Sequence, residues 1–97
     1  MSTPTIELDP VVLEKVLPPY RVILHNDDVN TMDHVVRALQ RSVPSLTREE
    51  ATAIMLEAHH HGRAVVIECP KEAAEHYRAR LESFGLTATI EPAGRDG

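Results

Sequence analysis

Tyr20-Arg21-Val22-Ile23-Leu24-His25-Asn26-Asp27-Asp28-Val29-Asn30-Thr31-Met32 decides how the rest of the chain is arranged. Its first half is apolar and rich in β-branched residues, the composition of a strand. The run stops at Asn26-Asp27-Asp28, short side chains rich in hydrogen-bond acceptors. A helix begins at once: Asn30 or Thr31 supplies the cap, Asp33 lies in the first turn, and apolar periodicity starts at Met32. A strand that ends in acceptors at the mouth of a helix makes a small electronegative rim. Such a rim suits a cation with several N–H donors. Paired carboxylates there oppose a phosphate, although helix N-termini often bind one.

Working outward from this stretch, residues 1–19 read as a flexible N-terminal extension, with Pro18-Pro19 fixing an extended entry to the strand. The helix over about 31–43 places Met32, Val35, Val36, Leu39 and Val43 on one stripe, and Pro44 ends it. Thr47-Arg48-Glu49-Glu50 is a capping box, with Leu46 placed to staple onto Ala51. The second helix runs to about His61 with Ala51, Ile54, Met55 and Ala58 inward, and Gly62 gives it a left-handed cap. Arg63 to Glu68 is the second strand. Pro70 suits the first position of a third helix, whose inner stripe is Ala73, Ala74, Tyr77, Leu81 and Phe84. Gly85 closes that helix, and a Schellman ending brings Leu86 onto Leu81. Leu86 to Glu91 is the third strand, and residues 94–97 read as a disordered tail.

The order is β-α-α-β-α-β. Two helices between the first two strands reverse direction, and one helix between the second and third preserves it. An antiparallel sheet then needs the first strand in the middle, in the order 2-1-3, with the helices on one face. The expected fold is a compact two-layer α+β domain, over residues 20–93.

At 97 residues the chain makes one small domain. Its net charge of −5 and lack of any Lys/Arg stripe argue against nucleic acid or an anionic membrane as partner. Cys69 is the single cysteine, which excludes an internal disulfide and a Cys-rich zinc module. No apolar run approaches membrane-spanning length, so the expected location is the cytoplasm.

Asn26-Asp27-Asp28 and Met32, followed by Met55-Leu56-Glu57-Ala58-His59-His60-His61-Gly62-Arg63-Ala64, resemble ClpS, the bacterial adaptor that delivers N-degron proteins to the Clp AAA+ protease. The likeness covers roughly residues 19–93. It implies a fold similar to the C-terminal domain of ribosomal protein L7/L12, and a pocket for the first residue of a protein. Asn26, Asp27, Asp28 and His59 match the positions around the peptide's α-amino group. Met32, Met55, Ala58 and Leu86 match the apolar wall around its side chain, with Asn30 and Thr31 on the rim. Ala58 stands where many members carry a larger aliphatic residue, which implies a roomier pocket. Glu72 matches an acidic docking position for the N-domain of a ClpA- or ClpC-type unfoldase, and Tyr77 stands where the family has a base. The resemblance implies a monomer with no cofactor and no enzymatic activity.

The residue types make sense independently of any family. An ammonium group carries three N–H donors and needs acceptors. Met55 and His59, four apart, share one helix face, an apolar wall beside a polar tip. Methionine adapts to varied large side chains. A metal-dependent hydrolase built on His59-His60-His61 fits poorly, because consecutive helical residues point about 100° apart. A scaffolding domain of the L7/L12 type keeps the fold but expects no polar pocket.

Overall fold

The computed structural model describes residues 18–94. Most of the expected N-terminal extension and the last three residues lie outside that range. The elements are β1 (Pro19–His25), α1 (Met32–Ser42), α2 (Arg48–His61), β2 (Arg63–Pro70), α3 (Lys71–Ser83) and β3 (Thr87–Pro92). β1 lies between the other strands, antiparallel to both, in the order β2-β1-β3. The fold class and strand order are those the connections demanded.

Val22 and Leu24 of β1 join one cluster with Leu39, Val43, Ala51, Met55, Ala58, Ala74, Leu81 and Leu86, the core between sheet and helices. Alternation puts Ile23 on the other face of the sheet, yet it is only 1% exposed. Its cross-strand neighbours are Val65 and Thr89. Three ion pairs share that face, Arg21–Glu68 at 2.9 Å, Arg63–Glu91 at 2.6 Å and a longer Arg21–Glu91 at 3.9 Å. The ladder between β1 and β2 slips between Val22 and Ile23, so Val22 faces Ile67 while Ile23 faces Val65. Val66 is the extra residue of this bulge, which lets Val66 and Ile67 both turn inward.

The helix boundaries follow local chemistry. Thr31 caps α1 by accepting from the His34 N–H. Thr47 and Glu50 form the reciprocal capping box of α2, and Gly62 ends it at φ +89°. Thr47→Ala is expected to cost about 1 kcal/mol and lower Tm by roughly 4–8 °C in thermal unfolding. At the end of α3, Leu86 N–H donates to Leu81 O (3.2 Å) and Gly85 N–H to Glu82 O (2.9 Å), the paired bonds of a Schellman motif.

Three boundaries and one stripe differ from the sequence reading. Pro70 is not the first residue of α3; it ends β2 with extended backbone (ψ 152°) opposite Pro19, and Lys71 starts the helix. At the last pair of a ladder a proline's missing N–H costs little. β1 likewise begins one residue early, at Pro19, and β3 one late, at Thr87, because Leu86 still belongs to the turn. On α1 the buried residues are Ala38, Leu39 and Ser42, while Met32 is 47% exposed. Met32 sits at the helix start, where it overhangs the hollow described next.

Candidate functional site

The last residues of β1, the loop 26–31, the start of α1 and the final turns of α2 enclose a hollow. Its empty space is about 350 Å³, the open mouth included. Leu24, Met32, Val35, Met55 and Ala58 supply the apolar lining. His25, Asn26, Asp27, Asn30 and His59 supply the polar part.

The loop is built around one carboxylate. Asp27 Oδ1 accepts from the backbone N–H of Val29 (2.9 Å) and of Asn30 (2.8 Å). The Asn30 side-chain amide lies 3.2 and 3.1 Å from its two oxygens. The Asn30 backbone N–H is the main cause holding the Asp27 carboxyl below its usual value. The Asn30 amide, the Val29 N–H and nearby His34 act in the same direction, against partial burial. Asp27 is therefore an anion at neutral pH. Asn26 opens the loop by donating its backbone N–H to Gly62 O (3.0 Å), which ties β1's end to the corner after α2. That tie brings Asn26 and His59 to the same hollow although they come from different elements.

No other described side chain hydrogen-bonds to the Asn26 amide or the His59 ring. The His59 ring stacks edge-on against His60, with centroids 5.2 Å apart. A rim of one anion and two groups able to accept a hydrogen bond, above an apolar floor, is chemically matched to a cationic N–H donor joined to a large apolar group.

Of the residues singled out from sequence, the structure gathers Asn26, Asp27, Asn30, Met32, Met55, Ala58 and His59 around this hollow. Asp28, Thr31 and Leu86 are not in its lining. Thr31 serves as the cap of α1, and Leu86 is buried in the core. Glu72 and Tyr77 stand apart on α3, along a shallow groove shared with Pro70, Ala73 and His76. Sequence reasoning missed Leu24, His25 and Val35 as lining residues. Val35 was within reach, three residues beyond Met32 on the same helix face.

Among the described residues no three His, Cys, Asp or Glu side chains gather closely enough to hold a metal ion. Burial pushes the Cys69 thiol up, the reverse of what an activated nucleophile needs. No helix among the described residues is long and apolar enough to cross a membrane.

Residues 15–89 match the family model described as ATP-dependent Clp protease adaptor protein ClpS, and the chain belongs to that family. It is 53% identical over 78 residues to the ClpS adapter of Synechococcus elongatus, covering 80% of this chain and 82% of that one. The Gloeobacter violaceus ClpS adapter is 46% identical over 92 residues, covering 95% of this chain and 98% of its own. A chloroplastic adapter of Arabidopsis thaliana is 46% identical over 81 residues, spanning 84% of this chain and 51% of the relative. Among solved structures, Agrobacterium tumefaciens ClpS2 bound to L-phenylalaninamide superposes with a TM-score of 0.73. The two are 28% identical, over 77% of this chain and 96% of that one.

Proposed function

We propose that the hollow receives the first residue of a substrate protein and that the chain delivers such substrates, marked by a large hydrophobic N-terminal residue, to a Clp AAA+ unfoldase. The observation that carries this reading is an ionised Asp27 beside Asn26 and His59, at the lip of a hollow floored by Leu24, Met55 and Ala58. The protonated α-amine of a polypeptide is the cationic donor this lip suits, and a Leu, Phe, Tyr or Trp side chain suits the floor. L-Phenylalaninamide, held by the Agrobacterium relative, has this chemistry: a free α-amine and a large apolar side chain.

Burying such a side chain contributes on the order of 2–3 kcal/mol, and each charge-assisted hydrogen bond roughly 1.5–3 kcal/mol before the entropy of association is subtracted. Affinity in the micromolar range is a plausible sum. Glu72 and Tyr77 line one groove on the first turns of α3, which supports that helix as the docking face for the N-domain of a ClpA- or ClpC-type unfoldase.

The test is a panel of short peptides that differ only at residue one, titrated against the protein by fluorescence anisotropy. Leu, Phe, Tyr and Trp are expected to bind best. Val and Ile, whose branched carbon presses a methyl toward Met32, are expected to bind about tenfold or more weakly, a difference of roughly 1.4 kcal/mol. Equal affinity for Leu and for Gly or Asp at residue one would overturn the reading.

A further inference from the structure

The loop 26–31 carries the polar rim, yet among the described residues, apart from the Thr31 carbonyl that accepts from Val35 of the helix it leads into, its backbone is tied to another element only at its first residue, through Asn26 and Gly62. Two side chains near the start of α1 make the second tie. The Asn30 side-chain amide donates to Gly85 O at 2.9 Å, and His34 Nε2 lies 2.7 Å from Phe84 O. A carbonyl can only accept, so that ring nitrogen carries a proton. The acceptors are the carbonyls of consecutive residues in the turn between α3 and β3. The Schellman bonds of that turn use the Gly85 and Leu86 N–H groups and the Leu81 and Glu82 carbonyls, which leaves the Phe84 and Gly85 carbonyls open to His34 and Asn30. The His34 ring also meets Phe84 edge-on, with centroids 6.5 Å apart.

Asn30 is the pivot. The same amide nitrogen that reaches Gly85 O lies within hydrogen-bond distance of both Asp27 oxygens. The carboxylate's orientation is thereby referenced to a turn on the far side of the loop, not only to the loop itself.

We propose that Asn30 and His34 are positioning residues for amine recognition: they clamp the 26–31 loop to the α3–β3 turn and so aim the Asp27 carboxylate into the hollow. The inference rests on the reading of the hollow as an amine site. It assigns Asn30 the task of holding Asp27, and gives His34, which does not line the hollow, a part in binding.

The clamp is tested on the full chain with one leucine-led peptide in free and N-acetylated forms. The parent protein comes first. If it fails to discriminate the two forms, the amine site itself is wrong. If it does discriminate, the variants judge the clamp alone. Asn30→Ala is expected to cut the free-over-acetylated preference about tenfold. His34→Phe, which keeps a ring against Phe84 but no donor, is expected to cut it about threefold or more. His34→Gln, which restores an N–H donor at similar reach, is expected to return to within twofold of the parent. General loosening of the fold lowers the fraction of competent protein without changing this ratio.

A second readout is the acid limb of binding. Without the Asn30 amide the Asp27 carboxyl titrates higher, so in Asn30→Ala affinity starts to fall at a higher pH than in the parent. His25 and His59 in the hollow and His34 beside it are common to both proteins, so the difference between the two curves is what counts. Parent-like ratios in both Asn30→Ala and His34→Phe, with superimposable pH curves, would overturn the clamp.

Discussion

A leucine-led peptide whose α-amine is acetylated is expected to bind at least about 100-fold more weakly than the same peptide with its amine free. Acetylation removes the positive charge and two of three N–H donors, and places a carbonyl where the lip offers an anion. Two charge-assisted bonds at roughly 1.5–3 kcal/mol each are at stake, and about 1.4 kcal/mol is a factor of ten. The ionised Asp27 adds a cost of its own, because an amide leaves it facing no cation. Isothermal titration of both peptides gives the ratio directly. The same contact makes free-amine binding decline above about pH 8, where an ordinary α-amine loses its proton. A ratio within threefold would remove the basis for placing a peptide terminus here.

Leu81→Ala is expected to destabilise the chain by about 2–5 kcal/mol. The side chain is 0% exposed, on α3 where helix and sheet meet, and it belongs to the cluster with Val22, Leu24 and Leu86. Its backbone carbonyl also receives the Schellman bond from Leu86, so a void there sits beside the turn that anchors β3. At roughly 4–8 °C per kcal/mol for a domain of this size, Tm should fall by at least about 8 °C in thermal unfolding. A loss below about 1 kcal/mol would mean the site collapses around the deletion, and that the core is less closely packed than its burial indicates.

Strand order was legible because it follows from connectivity: two helices, then one, leave β1 only the central place. Caps were legible at Thr47, Gly62 and Gly85 because these act through local chemistry that a short window contains, whereas at α1 the sequence left Asn30 and Thr31 open and the structure uses Thr31. The bulge at Val66 was not, since an unbroken apolar run reads the same whether alternation holds or slips. At the site, Met55, Ala58 and His59 follow from helical spacing. The loop was harder. A run of Asn26-Asp27-Asp28 does not say which side chain organises the turn; in the structure Asp27 does so, while Asp28 stays outside the lining. Nor does sequence show that Asn30 and His34 reach residues 55 and 50 positions away. Such bonds depend on where a distant turn comes to rest.

Leu24, Met55 and Ala58 belong at once to the floor of the hollow and to the main core cluster. A guest seated there extends the packing of the fold itself, so cargo acts as a stabiliser and its grip can be read from heat resistance: about 2.7 kcal/mol at a ligand concentration one hundred times Kd. The coupling also runs the other way. Any drift in these residues that retunes which cargo is taken must draw on the margin that keeps the domain folded, which ties the evolution of selectivity to that of robustness.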